Sequence, residues 1–521
     1  MINQQHPHLR RTAHRTSAIL LALVMATVSV STAMARPATG PTHGGTLTFA
    51  FGQQPDCLDS SKSFELQALS WAAVMTDNLV SEDAKGKFIP DLATSWSYSH
   101  HGLWLTFNLR HGVTFTDGAP MNAAAIAANL RRPDNSFALG PMSSVNVNNN
   151  YKVTMVFTAT FRPILHNLAF LVPIYDPKTD GGNDCESTSL AGTGPFKVSA
   201  IGPGLSSMSF SSYAGRHFKL SYGHNSGPAY LSNLDISTVT DPTQAVSELL
   251  SQQVDVAGIA PSQLPRVKGN KSITVNKSLS QSAWWIEFNC KHKPFNNRAV
   301  RWAISEAVSR AAVIRAGLSG YGQPLYNIVP PDEPYSDPSA KAYAASYNVK
   351  AAKKIFAKYH VKGPFTLLGF NGSYAPAAEA IGASLQAAGL KIKIVTKDIP
   401  DTLAQAQAGA FDLLLNGYGA NDPDFLYVQF DSATATGPFA TNTTFYKSKA
   451  LDKLIVRGRE TVNVKAARRA YYAAEKFIVN TAAIADPIYD PISLVGLDSR
   501  VGGYHRNVFN LYPVWQDLYV K

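Results

Sequence analysis

Two carboxylates flank a single proline at Asp422-Pro423-Asp424, in a loop that follows a stretch at residues 411–415 that is apolar but for Asp412. Paired acids can share general acid and general base work, because unequal surroundings push their pKa values apart. A secreted hydrolase using Asp422 and Asp424 is therefore one reading. No positioned nucleophile or metal-ligand cluster accompanies them, and loops beyond buried strands also serve plain ligand binding. The remaining motifs argue against catalysis. The run Gly317-Leu318-Ser319-Gly320 lacks the spacing of a nucleophile elbow. The pair Gly86-Lys87 has Ser81 where a phosphate loop needs glycine. His100-His101 precedes Gly102 at a turn and reads as a surface loop. No CxxC or HExxH motif is present, so a zinc site is not expected. We assign no catalytic residue, no metal and no cofactor from the sequence.

Other residues suit binding better. Trp284, Trp285, Tyr418 and Phe425 fall near strand ends and loops, where aromatic rings line a cleft or simply pack. Successive strand side chains point to opposite faces, so one tryptophan of the pair should enter the cleft while the other packs. Gly417 and Gly419 fit a turn after a buried strand, and glycines there also admit the close approach of a ligand backbone. Cys57, Cys185 and Cys290 allow one disulfide in an oxidising compartment, in any of three pairings.

The elements that must position these residues can be read from periodicity. Residues 45–52, 103–109 and 151–157 alternate as strands. Asn122 caps an alanine-rich helix running to Leu130. Helices are expected after Asn297, with Val300, Ile304, Ala307, Val308 and Ala311 on one stripe, and after Asn348. A helix at 376–388 stops at Gly389, followed by a strand at 390–395. Residues 411–415 form a strand buried on both faces, and helices return at 449–460 and 465–480. The pattern is α/β, without repeats.

The chain of 521 residues, 45% hydrophobic, supports roughly two to four domains. Its net charge of +11 is not gathered into blocks, so no nucleic-acid partner is expected. Residues 1–35 read as a secretory leader. Arg10, Arg11 and Arg15 precede the apolar centre AILLALVMA at 18–26, and Ala33-Met34-Ala35 supplies the cleavage site, with the cut after Ala35. Ser29, Ser31 and Thr32 dilute the stretch against service as a membrane span. The expectation is an exported protein of the periplasm.

Read in order, five segments resemble the family 5 extracellular solute-binding proteins, the peptide and nickel receptors of ABC importers. They are GGTLTFAFGQQPDCLDS at 44–60, the stretch from FIPDLATSW to AANLRR at 88–132, AGTGPFKV at 191–198, IEFNCKHKPFNNRAVRWAISEAVSR at 286–310 and LNGYGANDPDF at 415–425. The resemblance implies a two-lobed periplasmic binding protein fold of the α/β class, with an extra subdomain in the first lobe and a hinge. Lobe I would comprise 36–82, 192–288 and 488–521, the subdomain 83–191, and lobe II 289–487. Hinge strands would cross near 286–289 and again near Pro487.

The resemblance also implies a monomer that captures a small peptide or peptide-like solute and delivers it to a membrane permease. A nickel chelate, haem, opine or sugar is the alternative cargo. The ligand would lie between Ser63-Phe64-Glu65 and Gly417-Tyr418-Gly419, held mainly by main-chain hydrogen bonds. Trp284, Trp285, Asn421, Asp422 and Asp424 complete the expected site. Asn421 stands where the family usually carries the aspartate that pairs with a ligand's free amine, and Asp422 is the nearest substitute. Both Cys57 and Cys185 would fall in the first lobe, which favours their pairing and leaves Cys290 as the free thiol.

Overall fold

The computed structural model describes residues 40–63, 66–83, 86–179, 184–419, 422–436, 441–506 and 512–521. The leader at 1–35 with its cut after Ala35, and the site residues Phe64, Glu65 and Asn421, lie outside the described residues. Pro41–Lys521 form one compact unit.

A twelve-stranded mixed sheet runs through this unit, and its two halves have separate cores. The first half is built on Thr46–Phe51, which pairs in parallel with Asn233–Thr238 and Val256–Gly258. Its alternation buries Leu47 and Phe49 against Trp71 and Phe210. The second half centres on Leu413–Gly419, antiparallel to Ser282–Phe288 and parallel to Phe365–Phe370. Leu413 and Leu415 meet Ile381 and Leu385 on one face, while Leu414 meets Leu368 and Phe411 on the other. Both faces are covered, as the continuous apolar run requires.

Two chain crossings join the halves. Ile273–Leu279 pairs with the later part of Ala485–Asp498 in the first half. After only Ser280 and Gln281, Ser282–Phe288 pairs with the earlier part of that same strand in the second. Ala485–Asp498 therefore belongs to both sheets. Gln281 adopts a left-handed φ of 54°, and Ser280 N–H donates to Pro491 C=O at 3.0 Å. The chain thus passes between the half-sheets at 280–281 and near 489–492. Ser282–Phe288 bonds along its whole length to Leu413–Gly419, which places it in the second half.

A smaller antiparallel sheet takes the order Ala93–Ser99, Trp104–Leu109, Lys152–Phe157, Met142–Asn149. Ala123–Leu130 covers it, and the Asn122 side chain accepts from the Ala125 N–H. Leu105, Phe107, Ile126, Val153 and Leu168 belong to its own core. Cys57 is bonded to Cys185, and Cys290 is a free thiol. The single helix expected after Asn297 is two, Arg298–Ala307 and Arg310–Gly317. Val308 is extended between them, and Ser309 caps the second helix. The break lets Arg310 turn inward to Asp486 at 2.6 Å and to the Leu325, Pro487 and Ala345 carbonyls.

Candidate functional site

The tryptophan pair does alternate across its strand, but both faces are covered. Trp285 is 0% exposed; its ring lies near Phe425 and Phe430, and its Nε1–H donates to Glu287 Oε1 at 2.9 Å. In this structure it packs as a core residue. Trp284, 8% exposed, stacks on Tyr374 at 4.6 Å and Tyr489 at 6.0 Å between ring centroids. Gly417 lies under that ring, where an added Cβ would meet Trp284 at 2.5 Å. In this structure the close approach that Gly417 permits is therefore to an indole. Tyr418 stacks on Phe425 at 5.3 Å, and burial pushes its phenol up to about 12. Ser63 is half-buried and ends a short helical turn, its N–H donating to Ser60 C=O at 3.3 Å.

Asp422 and Asp424 are buried, each beside an arginine that the sequence reading did not single out. Arg162, just before helix Ile164–Phe170, makes a two-pronged bond to Asp422, Nη1 to Oδ2 at 2.8 Å and Nη2 to Oδ1 at 2.6 Å. Its Nη2–H also donates to Tyr471 Oη at 3.1 Å, and the guanidinium lies over the rings of Tyr335 and Tyr471 at 4.5 and 5.1 Å. Burial opposes the charge on Asp422, yet Arg162 outweighs it and holds the carboxyl below its ordinary range. Arg459 Nε lies 2.9 Å from Asp424 Oδ1, and its guanidinium covers Tyr427 at 3.8 Å. Here burial wins, and the Asp424 carboxyl is pushed up to about 6. Both acids are engaged in ion pairs in this structure.

These contacts form a seam between the small-sheet body and the second half of the large sheet. Arg162 N–H donates to Arg459 C=O at 2.9 Å, and Thr160 Oγ1–H to Glu460 C=O at 2.5 Å. Nearby, His166 Nδ1 lies 3.0 Å from Glu82 Oε2. Glu333 is also buried, and burial, with Glu82 and Asp422 adding repulsion, pushes its carboxyl up to about 9. Pro334 lies so close to Gly86 that a Cβ there would meet it at 2.2 Å. At the crossing strands, Asp490 accepts from Ser280 Oγ at 2.8 Å, Ser282 N–H at 3.3 Å and Gln323 Nε2 at 3.2 Å. The sequence gives no signal for Arg162 as partner of Asp422, since 260 positions separate them. Among the described residues, one group of histidine and acid side chains converges closely enough to hold a metal ion: His224, His505 and Asp517. Trp515 and Leu518, on either side of Asp517 in the chain, belong to the core of the first half.

Comparison with known proteins gives one consistent answer. The model of the bacterial extracellular solute-binding proteins, family 5 Middle, matches residues 87–438. The glutathione-binding protein GsiB of Escherichia coli K12 is 23% identical over 502 residues, covering 90% of this chain and 92% of that protein. Among solved structures, Helicobacter pylori DppA in complex with the peptide STSA has a TM-score of 0.78 at 23% identity. The match covers 92% of this chain and 98% of that one. The oligopeptide-binding protein AppA of Bacillus subtilis, in complex with a nonapeptide, has a TM-score of 0.78 at 19% identity, covering 92% and 100%. At these identities the structural likeness is one of fold: two α/β lobes.

Proposed function

This chain belongs to family 5 of the bacterial extracellular solute-binding proteins, and from that premise we propose that it captures a peptide or peptide-like solute between two lobes. The proposal extends to export through the leader at 1–35 into the periplasm, and to delivery of the solute to the permease of an ABC importer. The names of its relatives support a peptide-like cargo: GsiB binds glutathione, and the DppA and AppA structures hold peptides. We take lobe I as the half built on Thr46–Phe51 with the small-sheet body, and lobe II as the half between the crossings at 280–281 and 489–492. Ser63-Phe64-Glu65 and Gly417-Tyr418-Gly419 would hold the ligand backbone, and hinge closure would bury it. No chemical step is assigned to Asp422 or Asp424.

The carrying observation is the family match across residues 87–438, joined to two half-sheets that share the strand Ala485–Asp498. The Arg162–Asp422 pair sharpens the cargo. With Asp422 engaged and asparagine at 421, a ligand ammonium would lose the carboxylate partner that the family usually supplies there, at a cost of several kcal/mol. The solute is therefore blocked, modified or uncharged at that end. Calorimetric titration of the mature protein with free and N-acetylated di- and tripeptides tests this, with product analysis of the same samples. The expected result is one solute per chain, recovered unchanged, with acetylated forms preferred. Asn421→Asp should shift preference toward free amines. Turnover of any peptide would overturn the receptor reading, and tight binding of free-amine peptides lost on Asp422→Asn would overturn the cargo assignment.

A further inference from the structure

We propose that His224, His505 and Asp517 form a binding site for a divalent transition-metal ion of the zinc class, on the first half of the molecule. The three come from distant stretches, a turn after residue 220 and the two sides of the C-terminal segment, so no spacing motif announces them. Their ligand atoms converge: His505 Nε2 to Asp517 Oδ2 at 2.7 Å, His224 Nδ1 to His505 Nε2 at 3.1 Å, and His224 Nδ1 to Asp517 Oδ2 at 3.2 Å.

Protons alone do not satisfy that triangle. If both rings donate to the carboxylate, two N–H groups face each other. If His505 shares its proton between the other two, a ring lone pair faces a carboxylate lone pair. A cation at the centre accepts all three lone pairs at once. Ligands about 2.0–2.1 Å from a tetrahedral zinc are separated by about 3.3 Å. Two edges are already near that length, and the His505–Asp517 edge needs to open by about half an ångström.

The carboxylate is also held as a metal ligand should be. Asp517 is buried, accepting the Asn225 N–H on Oδ1 and the His224 N–H on Oδ2, each at 2.7 Å. Such outer hydrogen bonds fix a ligand's orientation before the ion arrives. The His224 side chain is 77% exposed, which leaves an entry path and an open position for water. Two imidazoles and one carboxylate suit zinc, whose filled d shell imposes no further geometry.

The test uses tag-free mature protein, stripped of metal and titrated with Zn2+ by calorimetry. One equivalent should bind per chain and raise the melting temperature. His224→Ala and His505→Ala should each weaken binding by about tenfold or more, while solute binding stays unchanged. His224 is surface-exposed, so its variant folds whatever Asp517 contributes to the core. A Co2+ titration adds a signature, visible d–d bands that fade in His505→Ala. Absence of saturable Zn2+ binding overturns the assignment, as does binding undiminished in the double histidine variant.

Discussion

Arg162 is withdrawn from water on nearly every side, and one carboxylate and two phenol rings replace its hydration. Removing one member of such a pair strands the other, which typically costs about 3–5 kcal/mol. Arg162→Ala and Asp422→Asn should therefore each destabilise, and the double variant should cost less than their sum; denaturant melts of the four proteins measure it. Gly417→Ala drives a methyl into the Trp284 ring at 2.5 Å and should cost about 1–3 kcal/mol, with Trp284→Leu relieving part of the loss. Glu333 gives a pH signature. Its carboxyl sits at about 9 in the fold against an ordinary 4.5, so between those values the folded protein holds a proton that the unfolded chain has released. Stability should then fall as pH rises through that window, by at most about 1.4 kcal/mol per unit. Glu333→Gln should flatten the decline in melting temperature between pH 5 and 8; an unchanged slope would locate the titration elsewhere.

Among elements, the bond between Cys57 and Cys185 closes the stretch that contains the small sheet, over a separation of 128 residues. Removing it as Cys57→Ser with Cys185→Ser should lower stability by about 2–5 kcal/mol, read by denaturant melts of oxidised and mutant protein. Much of the element pattern was legible beforehand because periodicity reports faces directly: Leu47 and Phe49 point inward, and Asn122 caps its helix. Periodicity does not say whether a face is covered. Trp284 and Trp285 do point opposite ways, yet helices and loops cover both sides of their strand. The Val308 break was invisible for a related reason. Its cause is Arg310 reaching Asp486, a contact 176 residues away that no local window contains.

At the scale of the whole unit, the proposed hinge closure would make the seam one of the contacts that bias apposed over separated halves. A change of about 1.4 kcal/mol in one contact moves that balance tenfold. Arg162→Ala should therefore enlarge the radius of gyration in small-angle scattering and weaken solute affinity together. An enlarged particle with unchanged affinity would detach the seam from binding. The family and its two lobes were legible from sequence because five segments fall in the expected order, whereas the seam depends on partners that only the fold brings together. The strand Ala485–Asp498, common to both half-sheets, carries a mechanical consequence. We predict that it works as a torsion bar: because it is hydrogen-bonded to Ile273–Leu279 on one side of the crossing and to Ser282–Phe288 on the other, sliding would break both ladders and twist would not. Dye pairs placed at different sites on the two halves should then report distances that rise and fall in step along a single curve.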